Sequence, residues 1–189
     1  MKEVIVAIHQ PNFFPWLGYF DKIRRCDYFI LLDHVQFPKS EGNWGNRVKL
    51  LTGIEELWIT APVNRKYKGL RCFNEMEFNK GEKWREKFIR TLQLTYSRHP
   101  YFPMVFPFIS FLVSNKDENL VSYNISTIKG ISKLLGFRET NFILSSSLPT
   151  GAHSTSMLID LVKKSGGTTY LSGGGAAGYQ EDHLFQESG

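Results

Sequence analysis

The segment from His9 to Asn12 holds the residues of this chain best suited to acid–base chemistry. His9 and Gln10 end a short apolar run, and Asn12 follows between Pro11 and Pro15. Each proline fixes its backbone φ angle and removes an N–H donor, so the polar residues lie on a stiff loop. A histidine titrates near neutral pH, which makes His9 a candidate for proton transfer. The alternative is a capping loop whose histidine only bonds the backbone; the functional interpretation is favoured because sites cluster at strand ends.

A carboxylate occupies the equivalent position after the second apolar run. Residues 28–32 predict a buried strand that ends at Asp33, and a helical segment separates this strand from the first one. Parallel strands joined by such a helix end at the same edge of a sheet, so we expect His9 and Asp33 to be neighbours. His9 would act as the catalytic base. Asp33 would orient its imidazole, as a carboxylate does in catalytic triads.

Basic residues in the next segment are candidates for binding an anionic substrate. Asn46, Arg47 and Lys49 lie on a predicted strand, where Arg47 and Lys49 share one face because side chains alternate. Arg47 can clamp a phosphate with two donors, and Lys49 can add a point charge. A solvated strand face is an equally good explanation. Lys39, which follows Gln36, is a weaker candidate of the same kind.

A glycine-rich run follows the last predicted strand. Ser172, Gly173 and Gly174 open it, and glycines let backbone amides approach a phosphate or carboxylate closely. The spacing Gly-x-Gly-x-x-Gly also occurs here, but no βαβ unit follows it, so dinucleotide binding is not expected. The alternative to such an anion-binding loop is a flexible loop without a ligand. Ser145, after another predicted strand, could donate its hydroxyl to the same ligand or simply begin a loop.

Composition limits the classes of protein that fit. The chain has 189 residues, a net charge of +5 and an isoelectric point near 9.2, which favours an anionic partner. The basic residues form no dense stripe, so nucleic acid is a less favoured partner than a small anionic molecule. Its two cysteines form no Cys-x-x-Cys pair, and the histidines have no metal-site spacing, so we expect no metal. With no signal-peptide pattern and no bilayer-length apolar run, a cytoplasmic location is expected.

Hydrophobic periodicity predicts a single α/β domain over residues 1–189. Its sheet is mostly parallel and three-layer-like, with βαβ units at both ends. Residues 35–78 form an antiparallel or irregular insertion with an edge strand at 71–78, and residues 82–136 are a helical segment. In that segment, prolines at 100, 103 and 107 delay one helix until residue 108, and Gly136 caps another.

An ordered series of motifs covers nearly the whole chain. It comprises His9-Gln10-Pro11, Pro15-Trp16, Gly18-Tyr19-Phe20-Asp21-Lys22-Ile23, Asp33-x-Val35-Gln36-Phe37-x-Lys39, Trp44-x-Asn46-Arg47-x-Lys49, Pro62-Val63, Pro100-Tyr101-Phe102, Tyr170-Leu171-Ser172-Gly173, Tyr179 and Leu184-Phe185. This series resembles the WbqC-like family, bacterial proteins associated with O-antigen and other surface polysaccharide biosynthesis. Because family members usually continue further, the chain looks shortened at its C-terminus. The aromatic Trp16 joins the candidates for substrate binding.

The resemblance implies a transferase that attaches a glycyl-like aminoacyl group, or another acyl group, to a sugar. The acceptor would be a nucleotide-linked or lipid-linked sugar, the donor an activated acyl or aminoacyl compound, and the cofactor is unknown. No Gly-x-Ser-x-Gly turn and no cysteine in a nucleophile setting occurs, so direct attack by the acceptor amine, assisted by His9, is expected. Two alternatives stay open: an adenylyl- or nucleotidyltransferase-like enzyme, and a non-catalytic glycan- or RNA-binding protein.

Overall fold

The computed structural model describes residues 2–39, 43–81, 83–137, 141–173 and 180–188. The chain divides into two compact units. The first contains Met1–Gln10, Trp16–His34 and Ser132–Gly189, and the second contains Pro11–Pro15 and Val35–Ile131. The single domain expected over residues 1–189 stays a prediction.

The described residues form a mixed α/β structure. The strands are β1 (Ile5–His9), β2 (Tyr28–Leu31), β3 (Arg47–Thr52), β4 (Glu55–Thr60), β5 (Asn141–Leu144) and β6 (Thr169–Leu171). The helices are α1 (Leu17–Arg25), α2 (Trp84–Tyr96), α3 (Phe102–Val113), α4 (Leu120–Leu134), α5 (Ser154–Lys164) and α6 (Asp182–Glu187). None of these helices combines the length and the apolarity needed to cross a membrane.

A four-stranded, fully parallel sheet organises the first unit, in the order β5-β2-β1-β6. Its central strands carry runs of buried apolar residues, among them Val6 and Ala7 of β1 and Phe29 and Ile30 of β2. Such continuous apolar runs are typical of parallel strands, because both faces of the sheet are covered. The predicted parallel sheet with βαβ connections is therefore confirmed.

Helix α1 connects the two central strands. Tyr19, Phe20 and Ile23 are buried, as the spacing of its apolar residues predicts. On the opposite side, Asp21 forms exposed ion pairs with Arg24 at 2.9 Å and Arg25 at 3.5 Å. The helix begins directly after Trp16 and ends before Asp27, whose side chain accepts a hydrogen bond from the Ile5 amide. Asp27, which follows α1, thus ties the end of this helix to the start of β1.

The second unit contains the antiparallel hairpin β3–β4, which turns at Gly53 with a φ of 69°. The expected edge strand at 71–78 is wrong: Phe73–Glu75 is a 3-10 helix flanked by isolated bridges. The Glu75 carboxylate accepts the Cys72 amide hydrogen at 2.7 Å, which holds the backbone in a turn. A side chain that captures a nearby amide competes with strand pairing.

Three helices and an aromatic core complete this unit. Helix α3 begins six residues earlier than expected: Pro103 lies in its first turn, where a proline removes no hydrogen bond that the helix would make, and the helix continues through Pro107 in its interior. Gly136, after α4, has a φ of 70°, as predicted for a C-terminal cap. Phe13 contacts the rings of Trp84, Phe88 and Tyr123 at centroid distances of 5.8, 5.8 and 6.0 Å.

Candidate functional site

The carboxyl ends of all four parallel strands meet at one edge of the sheet in the first unit. Residues that follow or end these strands are His9 for β1, Asp33 for β2, Ser145 for β5 and Ser172 for β6. In open parallel sheets, ligands bind outside this edge at the point where the strand order reverses. Here the chain moves outward from β1 through β2 to β5 and then returns to β6 on the other side of β1. The reversal therefore lies between β1 and β6, beside His9.

The imidazole of His9 is held by its backbone and by two rings. Its Nδ1 lies 3.2 Å from the Gln10 carbonyl oxygen, which also accepts a hydrogen bond from the Tyr19 hydroxyl at 3.0 Å. The rings of Tyr19 and Trp16 meet the imidazole edge-on, at centroid distances of 4.8 and 5.7 Å. With Nδ1 donating to a carbonyl, the neutral ring keeps its lone pair on Nε2. His9 is thus built to accept a proton at Nε2.

The pKa of His9 is lowered to about 4, mainly by burial and in addition by the positive charge of Lys22, while the hydrogen bond to the Gln10 carbonyl acts in the opposite direction. The imidazole is therefore neutral at pH 7. An anion placed beside Lys22 would offset that positive charge, and the pKa of His9 would rise. Proton affinity at this residue is consequently sensitive to what binds next to it.

Lys22 is a site residue that was not predicted from the sequence. From α1 its Nζ donates a hydrogen bond to the Ile8 carbonyl oxygen at 3.2 Å, and burial lowers its pKa to about 8. A β-carbon placed on Gly173 would lie 3.8 Å from this Nζ. The ammonium group therefore lies at the ends of both β1 and β6. The available signal was a lysine three residues after Tyr19 and four before Cys26, on the buried side of the helix.

The carboxylate of Asp33 is buried and bound by serines of the segment after β5. Ser145 Oγ and the Ser146 amide donate to Oδ1, each at 2.9 Å, and Ser146 Oγ donates to Oδ2 at 2.6 Å. The Asp33 amide in turn donates to Ser145 Oγ at 3.1 Å. These contacts join the ends of β2 and β5. The predicted pairing of Asp33 with His9 stays a prediction, and in this structure the His9 ring is oriented by Gln10.

His34 was not assigned from the sequence either, and it belongs to the same network. Its Nδ1 lies 2.5 Å from Ser145 Oγ. The single hydroxyl proton of Ser145 goes to the Asp33 carboxylate, which can only accept, so Nδ1 of His34 carries the proton in this contact. Its Nε2 is then the acceptor. Ser145 is completely buried and cannot meet a substrate, so it connects Asp33 with His34 rather than acting as a nucleophile.

The other residues predicted to bind substrate belong mainly to the second unit. Asn12 is buried, and its Oδ1 accepts no hydrogen bond from the described residues. The Asn46 amide nitrogen donates to the Ala61 carbonyl oxygen at 2.9 Å and so supports the hairpin. Gln36 bridges Cys72 through the backbone, and the exposed Lys39 offers its carbonyl oxygen to Arg65 at 2.8 Å. Trp16, in the first unit, is 46% exposed beside His9, and Gly174 lies outside the described residues.

The predicted phosphate clamp of Arg47 and Lys49 lies on the hairpin. Both cations contact the Trp58 ring: the Arg47 guanidinium carbon is 3.9 Å and the Lys49 Nζ 5.1 Å from its centroid. Lys49 also forms a 2.6 Å ion pair with Glu56, which partly neutralises it. The two residues share a face, as expected for alternate strand positions. Their role in phosphate binding stays a prediction.

Across the ranges that the structure describes, no group of three or more histidine, cysteine, aspartate or glutamate side chains is placed to hold a metal ion. The fold and the site together define an α/β protein with a candidate ligand site at the carboxyl edge of a parallel sheet. The chain belongs to the WbqC-like protein family, whose model matches residues 10–189.

A relative of this chain is the uncharacterized protein Rv1507c from Mycobacterium tuberculosis (strain ATCC 25618 / H37Rv). The two are 30% identical over 183 residues, which cover 96% of this chain and 78% of the relative. No solved structure matches the chain.

Proposed function

We propose that this protein is a transferase that attaches an aminoacyl or acyl group to the amino group of a sugar during synthesis of a bacterial surface polysaccharide. The observation that supports this most directly is the pairing of a neutral His9, with an available Nε2, and the cationic Lys22 at the carboxyl ends of β1 and β6. Membership of the WbqC-like family is consistent with the proposal. The proposal includes a cytoplasmic location for the protein.

The reaction needs one base and one cationic contact. The sugar amine attacks the acyl carbonyl carbon, a C–N bond forms, and His9 Nε2 accepts the amine proton. The bond from the acyl carbon to its leaving group then breaks, and the proton passes from the imidazolium to that group. Before attack, a phosphate of the nucleotide-linked or lipid-linked sugar binds Lys22. Because this anion offsets the charge of Lys22, the substrate itself raises the pKa of His9 toward the range of an effective base.

His34 is a second candidate for proton transfer at this edge. Asp33 fixes it through the buried hydroxyl of Ser145, so Asp33 acts as a positioning residue here. Ser172 and Gly173 would place backbone amides near the phosphate, in a loop where no β-carbon crowds Lys22.

A second candidate function is adenylyl transfer, which the strand order favours. Many parallel sheets bind nucleotides at the position where the strand order reverses, and here that position lies beside β1. In this reaction an amino acid carboxylate attacks the α-phosphate of ATP and pyrophosphate leaves. The same Lys22 would then contact the triphosphate. Glycan or RNA binding without catalysis is the third outcome that an experiment has to separate.

The test uses UDP-linked amino sugars as acceptors and three donors in separate reactions: glycyl-tRNA, acetyl-coenzyme A, and glycine with ATP. Transfer of radiolabel to the sugar is the readout for the transferase, and ATP–pyrophosphate exchange is the readout for adenylation. We expect His9→Gln to lower kcat at least about 100-fold while the sugar affinity changes little. The matched control is His153→Gln, because His153 is exposed at the start of α5.

Two results would overturn the proposal. One is binding of the sugar with no product from any donor, which would assign a binding function. The other is a His9→Gln enzyme as active as the unaltered protein. Lys22→Met adds a separate readout: it should raise the Kd for the UDP-linked sugar at least about tenfold, because a buried contact to phosphate is lost.

A further inference from the structure

Helix α3 presents an exposed apolar surface that the proposed transferase chemistry does not use. All twelve of its residues are uncharged, and Ser110 is the one hydroxyl-bearing side chain among them. Met104 and Phe111 are 68% and 74% exposed, and Pro107 is exposed between them. Residues three, four and seven positions apart lie on one side of a helix, so these residues form a continuous band, here called the apolar stripe. Large apolar side chains grouped in this way mark an interaction surface.

An apolar groove adjoins the same helix. It lies between α2 and α3 and has a volume of about 390 Å³. Its lining includes Leu92 and Tyr96 of α2 and Phe102, Val105, Phe106 and Ile109 of α3. Tyr101, at the start of α3, is 71% exposed, and Leu94 of α2 is 74% exposed. The helix pair therefore offers both an apolar surface and a slot that a hydrocarbon chain fits.

The charge next to the groove and the apolar stripe favours an anionic partner. Residues 87–116 contain Lys87, Arg90, Arg98 and Lys116 and no aspartate or glutamate, and the one acid of the two helices is Glu86, in the first turn of α2. All four side chains are exposed, and none forms an ion pair with a described residue. Two copies joined through this surface would bring like charges together, which disfavours self-association. A partner with a negatively charged surface and hydrocarbon beneath it would match both the four cations and the apolar stripe.

We propose that α2 and α3 form a peripheral binding surface for anionic lipid bilayers. The apolar stripe enters the boundary between headgroups and acyl chains, and the four cations contact the lipid phosphates. The exposed Tyr101 suits this depth, since amphipathic aromatic rings lie at the headgroup level. The proposal is independent of the transferase, because its residues all lie on α2, α3 or next to them, away from His9 and Lys22 in the sequence.

Sedimentation of the full chain with sucrose-loaded vesicles tests the proposal. Vesicles of phosphatidylcholine alone are compared with vesicles that also contain phosphatidylglycerol, at low and high salt. We expect binding to the anionic vesicles, weakened by salt. The double variant Met104→Ser with Phe111→Ser should bind at least about tenfold more weakly, because two apolar side chains that would enter the lipid are lost. Its matched control is Ile54→Ser, since Ile54 is 98% exposed on the hairpin turn of the same unit.

A charge variant separates the electrostatic contribution to vesicle binding from the apolar contribution. Arg90→Gln with Arg98→Gln should reduce binding to the anionic vesicles and remove much of its salt dependence. Circular dichroism and thermal melting establish that each variant is folded. The proposal is overturned if the unaltered chain sediments with neither vesicle, or if the double serine variant binds as well as the Ile54→Ser control. It is also overturned if ultracentrifugation finds a dimer that the double serine variant separates while no vesicle is bound.

Discussion

The ammonium group of Lys22 lowers the pKa of His9, although the two residues come from different elements, a helix and the strand before it. Lys22 itself is held by the carbonyl oxygen of Ile8, the residue before His9. The helix therefore delivers a positive charge to the carboxyl end of the strand. The pKa of His9 therefore depends on this lysine as well as on the burial of the imidazole.

Replacing Lys22 with methionine should raise the pKa of His9. The increase is partial, because burial is the larger cause of the low value and remains in the variant. Titration of the His9 ring protons by NMR measures the change. Lys87→Met is the control, since Lys87 is exposed on α2. An unchanged His9 titration in the Lys22 variant would contradict the assigned coupling.

The free energy of unfolding should fall as the pH falls through the acidic range. His9 has a pKa of about 4 in the folded chain against an ordinary value of 6.5, so the unfolded state binds its proton first. The stabilising contribution is complete above pH 6.5 and is lost as the pH falls toward 4. Its upper limit is about 3 kcal/mol.

Urea unfolding at several pH values measures this contribution. His9→Gln should flatten the pH dependence between 6.5 and 4, and His153→Gln should leave it as it is, because His153 is exposed. If both variants keep the full pH dependence of the free energy of unfolding, the low pKa of His9 is not the cause of that dependence.

Removing the carboxylate of Asp33 should destabilise the first unit by about 1–3 kcal/mol. The donating hydroxyl of Ser145 is completely buried and would be left without an acceptor, whereas the exposed Ser146 can donate to water instead. The variant is Asp33→Ala, measured by urea unfolding. Ser147→Ala is the control, because its hydroxyl makes one exposed bond to the Leu144 carbonyl. A loss no larger than that of the control would contradict the network.

The hydroxyl of Ser145 should determine the tautomer of His34. In the unaltered protein this hydroxyl holds the proton on Nδ1. Ser145→Ala should therefore shift the ring toward the Nε2-protonated form that predominates in free histidine, as read from the 15N chemical shifts of His34. The His9 ring serves as internal control, since its partner is the Gln10 carbonyl. Equal shifts in both rings would indicate a general loss of structure.

Two glycines next to β6 should respond differently to alanine. A β-carbon on Gly167 would lie 2.4 Å from a Val6 methyl carbon and 3.0 Å from the Val162 carbonyl oxygen. Gly167→Ala should therefore lower the free energy of unfolding by about 1–3 kcal/mol. Gly173→Ala should change it little, because the nearest atom, Nζ of Lys22, is 3.8 Å away, an ordinary van der Waals distance. Urea unfolding of the two variants compares them directly, and equal losses would contradict the close approach at β6.

Local pattern was sufficient for much of the fold. The apolar runs of β1 and β2, the helix between them and the glycine after α4 were predicted, since each depends on neighbours in the sequence. Failures arose where a side chain or a first-turn rule overrode the pattern. Glu75 captured an amide and replaced a strand with a 3-10 helix, and α3 accommodated Pro103 in its first turn and Pro107 in its interior. The short helix α6 was not predicted at all.

The sequence by itself determined which residue types stand at the ends of the strands, because apolar runs stop at His9, Asp33, Ser145 and Ser172 whatever the partners of each strand are. Only the tertiary structure decided what those residues do together. The order β5-β2-β1-β6 brought Lys22 to the ends of β1 and β6, and it brought Ser145 to Asp33 and His34 across more than a hundred positions. Strand pairing depends on long-range packing, whereas hydrophobic periodicity reports only the local burial of each strand.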